Sequence, residues 1–239
     1  SAAYTATSLY EILDKGLSVI PKDSRYAQVV NNIISFYEKD SEKEWKRCLS
    51  YIQNTFGYDK YPGNCHIIPN AAIIILSLLY GEGDFQKSQL ICNTSGWDTD
   101  CNAGNVGAIL GVFNGIDAID HPWIEPIKDL LISSSVIGSL NIDTVSNTAM
   151  YFCMLGCKMH HVSPPAPWAE RIGQEGRIFH FDFQKSTQAI RPASDAVAIE
   201  NCDQEVVAGH RSLHIAAKDV SSMKVFLKTY YRPEDLSDS

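Results

Sequence analysis

The chain has 239 residues, 45% of them hydrophobic and 20% charged, and carries a formal charge of −8. That length holds one large or two small domains, with the balance of a soluble globular protein. No Lys/Arg cluster offers counterion release, which excludes a nucleic-acid backbone as partner, and no apolar run reaches the length of a membrane span.

Seven cysteines, at 48, 65, 92, 101, 153, 157 and 202, form no C-x-x-C pair and no regular framework. A zinc ribbon or a disulfide scaffold is therefore not expected. Reduced thiols in a cytoplasmic setting are the default. The chain opens at Ser1 directly in a helical stretch, without a leader.

Residues 4–15 read as a short amphipathic helix, with Leu9, Ile12 and Leu13 on one face and Gly16 as its stop. Ile20 to Ser24 form a turn that caps a second helix over 25–38, where Val29, Ile33, Ile34 and Tyr37 recur at helical spacing. Ser41 is expected to cap a third, carrying Trp45, Leu49, Ile52 and Phe56 into the core. Residues 57–69 are a loop by composition. Pro69 then suits the first turn of a helix through 71–79 that is apolar all round and so central. Asp84 caps a helix over 85–92, and the sequon at Asn93-Thr94-Ser95 is a chance match.

The chemistry concentrates next, in Thr94-Ser-Gly-Trp-Asp-Thr-Asp-Cys-Asn-Ala-Gly-Asn-Val-Gly-Ala-Ile-Leu-Gly111. Asp98 and Asp100 flank the Thr99 hydroxyl, Cys101 follows, and Gly96 permits a tight or left-handed turn. A helix over 103–113 carries Gly104, Gly107 and Gly111, each costing about 1 kcal/mol of propensity against Ala. That cost makes sense where a second helix or a ligand comes close. Oxygen ligands at a loop-to-helix junction suit Mg²⁺ or Ca²⁺, whereas Zn²⁺ more often recruits His or thiolate. The competing account is an ordinary N-cap, favoured by the helix dipole. One cap residue would suffice, and the second acid adds repulsion, so the spacing favours a cation. Trp97 is either a wall for an adenine or sugar or a packing residue. His66, with Asn64, is either a satisfied loop histidine or part of the pocket rim. Cys101 has no base beside it in sequence to make it a nucleophile.

Downstream, helices are expected over 124–132, after His121-Pro122-Trp123, and over 141–157, with Ile142, Val145, Ala149, Phe152 and Cys153 on the buried face. His160 and His161 are adjacent and point apart, a surface pair and not a metal site. Residues 163–167 are a stiff Pro-rich stretch. Strands follow over 177–183, 196–200, 212–216 and 224–230, with Gly209 in a turn. They amount to a partial antiparallel β-sandwich, short of the ~100 residues of a complete one. The expected division is an α domain over 1–160, a linker over 161–176 and a β module over 177–239.

The run from Gly96 to Gly111 resembles the C-terminal metal-binding signature of the ADP-ribosylglycohydrolase family, which commonly reads G-G-D-T-D-T followed by small residues and G-x-x-x-G. The resemblance extends upstream through Ile20-Pro21, the segment from Asn64 to Asn70 and that from Gly81 to Phe85, and downstream to about Gly156. It implies an all-α orthogonal bundle in which two Mg²⁺ ions hold the ribose hydroxyls of an ADP-ribosyl group and position water against the anomeric carbon. Asp98 and Asp100 would ligate one ion, with Thr99 orienting them. Trp97, Asn64 and His66 would face the substrate. Cys101 stands where the family usually has a ligating Thr, and a thiol is a poor Mg²⁺ ligand. The G-D-x-x-G segment and Thr-Asp-Asp triplet of the other ion have no counterpart here. The chain thus reads as the C-terminal part of a longer hydrolase, with at most half the binuclear site, inactive alone and completed by its own N-terminal segment. The alternative is a protein that binds ADP-ribose or a sugar without cleaving it. The sandwich resembles accessory modules of carbohydrate-active enzymes.

Overall fold

A computed structural model of the chain describes residues 1–63, 65–133, 142–165, 169 and 179–232. It divides into two compact units, Ser1–Asp120 and His121–Ser239.

The first unit is helical: α1 (Leu9–Ser18), α2 (Arg25–Lys39), α3 (Trp45–Phe56), α4 (Ile67–Gly81), α5 (Phe85–Thr94) and α6 (Thr99–Asn114). The centre is α4, against which α2, α3, α5 and α6 all pack. Its residues 68–73 and 75–81 are buried, as an element apolar on every side must be. Ile73, Leu76 and Leu78 meet Val29 and Ile33 of α2, Cys48, Ile52 and Phe56 of α3, and Val106 and Leu110 of α6 in one core. Where α4 ends, Glu82 turns left-handed at φ 57° and α5 crosses very close. A Cβ on Gly81 would lie 1.9 Å from Ser88 Oγ, so only glycine admits that approach.

Several expected limits shift, among them the start of α4, which lies at Ile67 within the stretch expected to be loop as far as Pro69. The helix expected from Tyr4 begins at Leu9: Ser8 caps α1 by accepting from the Glu11 amide at 3.2 Å, and Glu11 Oε2 accepts from the Thr7 amide at 2.8 Å. This reciprocal cap sets the start, Ala2–Tyr4 forms a separate 3₁₀ turn, and Gly16 lies within the helix instead of stopping it. Ser41 does not cap α3; Glu44 does, through the Lys46 amide at 3.1 Å. Likewise α6 begins at Thr99, four residues before the expected Ala103.

The described residues of the second unit hold α7 (His121–Ile124), α8 (Val145–His160) and six short strands, β1 (Leu130–Ile132), β2 (Ile142–Thr144), β3 (Ile190–Pro192), β4 (Val197–Cys202), β5 (Ser212–Ala217) and β6 (Val225–Leu227). They pair antiparallel as β1–β2, β3–β6 and β4–β5, in register at Leu130↔Thr144, Ile190↔Leu227 and Val197↔Ala217. The expected helix over 124–132 is corrected. Pro126 disfavours helical backbone at Glu125, α7 stops at Ile124, Lys128 and Asp129 turn left-handed, and residues 130–132 join β2. Thr144 caps α8 through the Asn147 amide at 3.0 Å, so Ile142 belongs to β2 and not to the helix. No described residue of α8 is buried, and Phe152 is 64% exposed, against the buried face the periodicity predicted. Of the strand expected over 177–183, residues 177 and 178 lie outside the described residues and 179–183 are not strand. The antiparallel pairing expected of this part is present as two-stranded sheets. No described helix is long and apolar enough to cross a membrane.

Candidate metal centre

Ser95 closes α5, its hydroxyl donating to Ile91 O at 2.7 Å. The chain then passes through three left-handed residues in succession: Gly96 at φ 74°, Trp97 at 58° and Asp98 at 53°. Glycine does this freely. For Trp97 and Asp98 such backbone costs about 1–3 kcal/mol each, and it persists only where surrounding contacts impose it. Those contacts are identifiable. Asn102, 1% exposed, donates from Nδ2 to Trp97 O at 2.7 Å, and the Trp97 ring meets Tyr58 edge-on, 5.1 Å between centroids.

The left-handed turn decides what Asp98 does. An N-cap side chain ordinarily folds back onto the amides of its helix from extended backbone. Asp98 stands at the N-cap of α6 with φ 53° and ψ 49° and makes no such bond. Its carboxylate instead accepts from Asn70 Nδ2 in the first turns of α4, while Asn70 Oδ1 accepts from the Tyr58 hydroxyl. One ligand atom each from Asp98, Asp100 and Cys101 lie within 4.8 Å of one another. Cys65, in the loop before α4, feels the charge of the same Asp98 carboxylate but is not among those three. Two carboxylates and the Cys101 thiol thus converge at the head of α6.

Their fields act on each other as expected. The Asp98 carboxylate beside Cys101, helped by Asp100, pushes that thiol above the ordinary range. Cys65 is raised by desolvation and by the same two acids, and Tyr58 by desolvation, then Asp98 and Cys65. All three stay protonated at neutral pH without a cation.

The other residues named from sequence fall as follows. Thr99 is the first residue of α6, and its hydroxyl bonds neither carboxylate. His66 is the N-cap of α4, its Nδ1 accepting from the Ile68 amide at 3.2 Å and its ring tilted over Tyr61. Asn64 lies outside the described residues. Of the three glycines of α6, Gly107 faces α5, where a Cβ would come 2.7 Å from Gln89 Nε2. Gly111 faces Ile119 and Gly104 opens on nothing within 4 Å. Tyr58, Cys65 and Asn70 were not singled out from sequence. Asn70 and Cys65 do sit inside the segment that carried the family likeness.

The ADP-ribosylglycohydrolase family model matches residues 1–174. The chain belongs to this family. No curated protein and no solved structure matches it. ADP-ribosylglycohydrolases are hydrolases of ADP-ribosylated molecules and typically use Mg²⁺. The matched span takes in α1 to α8 and the whole carboxylate–thiol cluster, while β3 to β6 lie beyond it. Asp98 and Asp100 suit a hard cation, whereas the Cys101 thiol beside them is a poor Mg²⁺ ligand.

Proposed function

We propose that this chain carries the ribosyl-binding site of a cation-dependent hydrolase that releases an ADP-ribosyl or related ribosyl group. One observation supports this above the rest: Asp98 is turned away from the helix amides it could cap and held by Asn70 beside Asp100. Strained backbone of this kind is kept where a site requires it.

In the reaction, water oxygen bonds to the anomeric carbon as the bond from that carbon to the acceptor atom breaks, and the proton of the water passes to the departing atom. Asp98 and Asp100 orient the ribose hydroxyls, directly or through a cation between them. The exposed Asp100 is the nearer to solvent. Trp97, propped on Tyr58, offers an aromatic wall to the adenine or sugar. The α domain over 1–160 carries this chemistry.

Release of ADP-ribose from ADP-ribosylated peptides of several linkages, with added divalent cation and with EDTA, tests the reading. Release that requires cation and disappears in Asp98→Ala supports it, and turnover indifferent to EDTA refutes it. The second reading, binding without cleavage, is favoured by the thiol at Cys101. It predicts cation-dependent ADP-ribose binding by calorimetry with no release from any linkage.

A further inference from the structure

We propose that the second unit carries a binding site of its own for a neutral polyhydroxylated ring, a monosaccharide, in a cleft lined by Asp143, Asn147 and Gln188. It rests neither on the Asp98 centre nor on hydrolysis.

The cleft lies among the β1–β2 pair, the first turn of α8, the residues just before β3 and the end of β6. Gln188 points to a ligand, for it lines the cleft while only 3% exposed. Its Oε1 accepts from the His180 amide at 3.1 Å, and that bond fixes which way the side-chain amide faces. Nε2 is buried and has no acceptor among the described residues. A buried donor left unpaired is costly, and native proteins keep few of them. Gln188 and Ala189 are also left-handed, at φ 48° and 60°, backbone that such residues keep only where surrounding contacts impose it.

The other polar groups of the cleft decide the chemistry. Asp143 Oδ1 accepts from the Thr144 amide at 2.7 Å and from Asn147 Nδ2 at 3.1 Å. Those bonds hold Asp143 Oδ2 and Asn147 Oδ1 in place with no donor to either among the described residues. The cleft thus offers two fixed acceptors and one fixed donor. A hydroxyl both donates and accepts, so the hydroxyls of a sugar match this set, whereas a carboxylate cannot donate and an ammonium cannot accept. Asp143 and Lys228, both on the lining, cancel in charge, which favours a neutral ligand. Phe179 and Leu227 add an apolar wall for the C–H face of a ring, and an apolar lining with few polar groups is usual in small-molecule sites.

The whole chain, with EDTA present to keep cations from the Asp98 centre, is titrated with D-ribose, D-glucose, D-galactose and N-acetyl-D-glucosamine. Saturation-transfer NMR reads the binding. The expected result is saturable binding of at least one of these sugars. Asp143→Asn, which keeps Oδ1 and turns the second acceptor into a donor, weakens it by about 10- to 150-fold, and Gln188→Met by about 2- to 12-fold. Phe179 is 48% exposed, so Phe179→Ala spares the fold and weakens binding by about 2- to 12-fold. Far-ultraviolet circular dichroism shows that the variants remain folded. Asp98→Ala leaves the signal unchanged, which separates this cleft from the ribosyl site at the head of α6. The proposal is overturned if none of the four sugars saturates, or if ethylamine or acetate binds as well as the best of them. Binding that survives both Asp143→Asn and Phe179→Ala, or that vanishes in Asp98→Ala, overturns it equally.

Discussion

Asn70 is the residue on which the geometry of the site turns, and its removal tests the reasoning most directly. Its amide donates to the Asp98 carboxylate and its carbonyl oxygen accepts from Tyr58, two bonds that run in series through one side chain. A hydrogen bond to a charged group contributes about 1.5–3 kcal/mol and a neutral one about 0.5–1.5 kcal/mol. At about 1.4 kcal/mol per decade, Asn70→Ala should weaken cation binding by about 10- to 150-fold. Tyr58→Phe should cost roughly 2- to 12-fold. Because the Tyr58 hydroxyl bonds Asn70 and not Asp98, and Tyr58→Phe keeps the ring, the second substitution should add less than about 0.5 kcal/mol once Asn70 is gone. Calorimetric titration of a divalent cation into the wild type, both single variants and the double variant closes the cycle, with urea melts to confirm that each is folded. Additive losses would refute the relay. An Asn70→Ala variant that binds as tightly as the wild type would show that Asp98 needs no support.

Three further outcomes follow from the core. Gly81→Ala should destabilise the fold by about 1–3 kcal/mol, since its Cβ meets Ser88 Cα at 2.8 Å as well as Oγ; the contrasting Gly104→Ala, with nothing within 4 Å, should gain up to about 1 kcal/mol of helix propensity. Urea midpoints decide both, and a stabilised Gly81→Ala would contradict the tight α4–α5 crossing. Burial pushes the Cys48 thiol up to about 12, so Cys48 should resist iodoacetamide at pH 8 until the chain unfolds, while exposed Cys153 labels in the native state. Mass spectrometry of the labelled peptides checks this. Burial alone would raise the Asp40 carboxyl, but the Tyr80 hydroxyl at 2.9 Å, then Arg47 and the amides of Glu42 and Glu44, outweigh it and hold it below the usual range. A group lowered in the folded state contributes stability above its unfolded value and loses it as pH falls through the folded one. Acid unfolding should therefore be shallower in Asp40→Asn than in the wild type, and parallel acid limbs would refute that role.

What could be read from residues alone follows from which forces are local. The extent of α2 and the central place of α4 follow from periodicity and from an apolar run too long to have a solvent face, and Asp84 caps α5 as its spacing indicated, through the Lys87 amide at 2.6 Å. The stretch Leu130-Leu131-Ile132 was illegible for a physical reason. Three apolar residues satisfy helix and strand equally, and the choice is made by a partner, β2, that sequence spacing does not reveal. The buried face assigned to α8 failed similarly, because periodicity marks a side that could be covered and says nothing of whether anything covers it.

The candidate centre divides along the same line. An acid at the start of a helix is a cap or a ligand according to the direction of its side chain, and composition is identical in the two cases. What separates them here is the backbone at Asp98: extended, it would aim the carboxylate at the amides of α6; left-handed, it aims it at Asn70. Gly96 was the one visible sign that such a turn was available. The two residues after it share its hand without its freedom, and contacts made by Asn102 and Tyr58 keep them there. Those contacts span as few as five residues and as many as thirty-nine, counting from Asn102 or Tyr58 to Trp97, and only folding brings the longer one into being. A site that depends on strain of this kind is encoded in the core that imposes the strain as much as in the acids that use it. The packing of α4 and α6 around Val106 and Leu110 is accordingly part of the candidate centre.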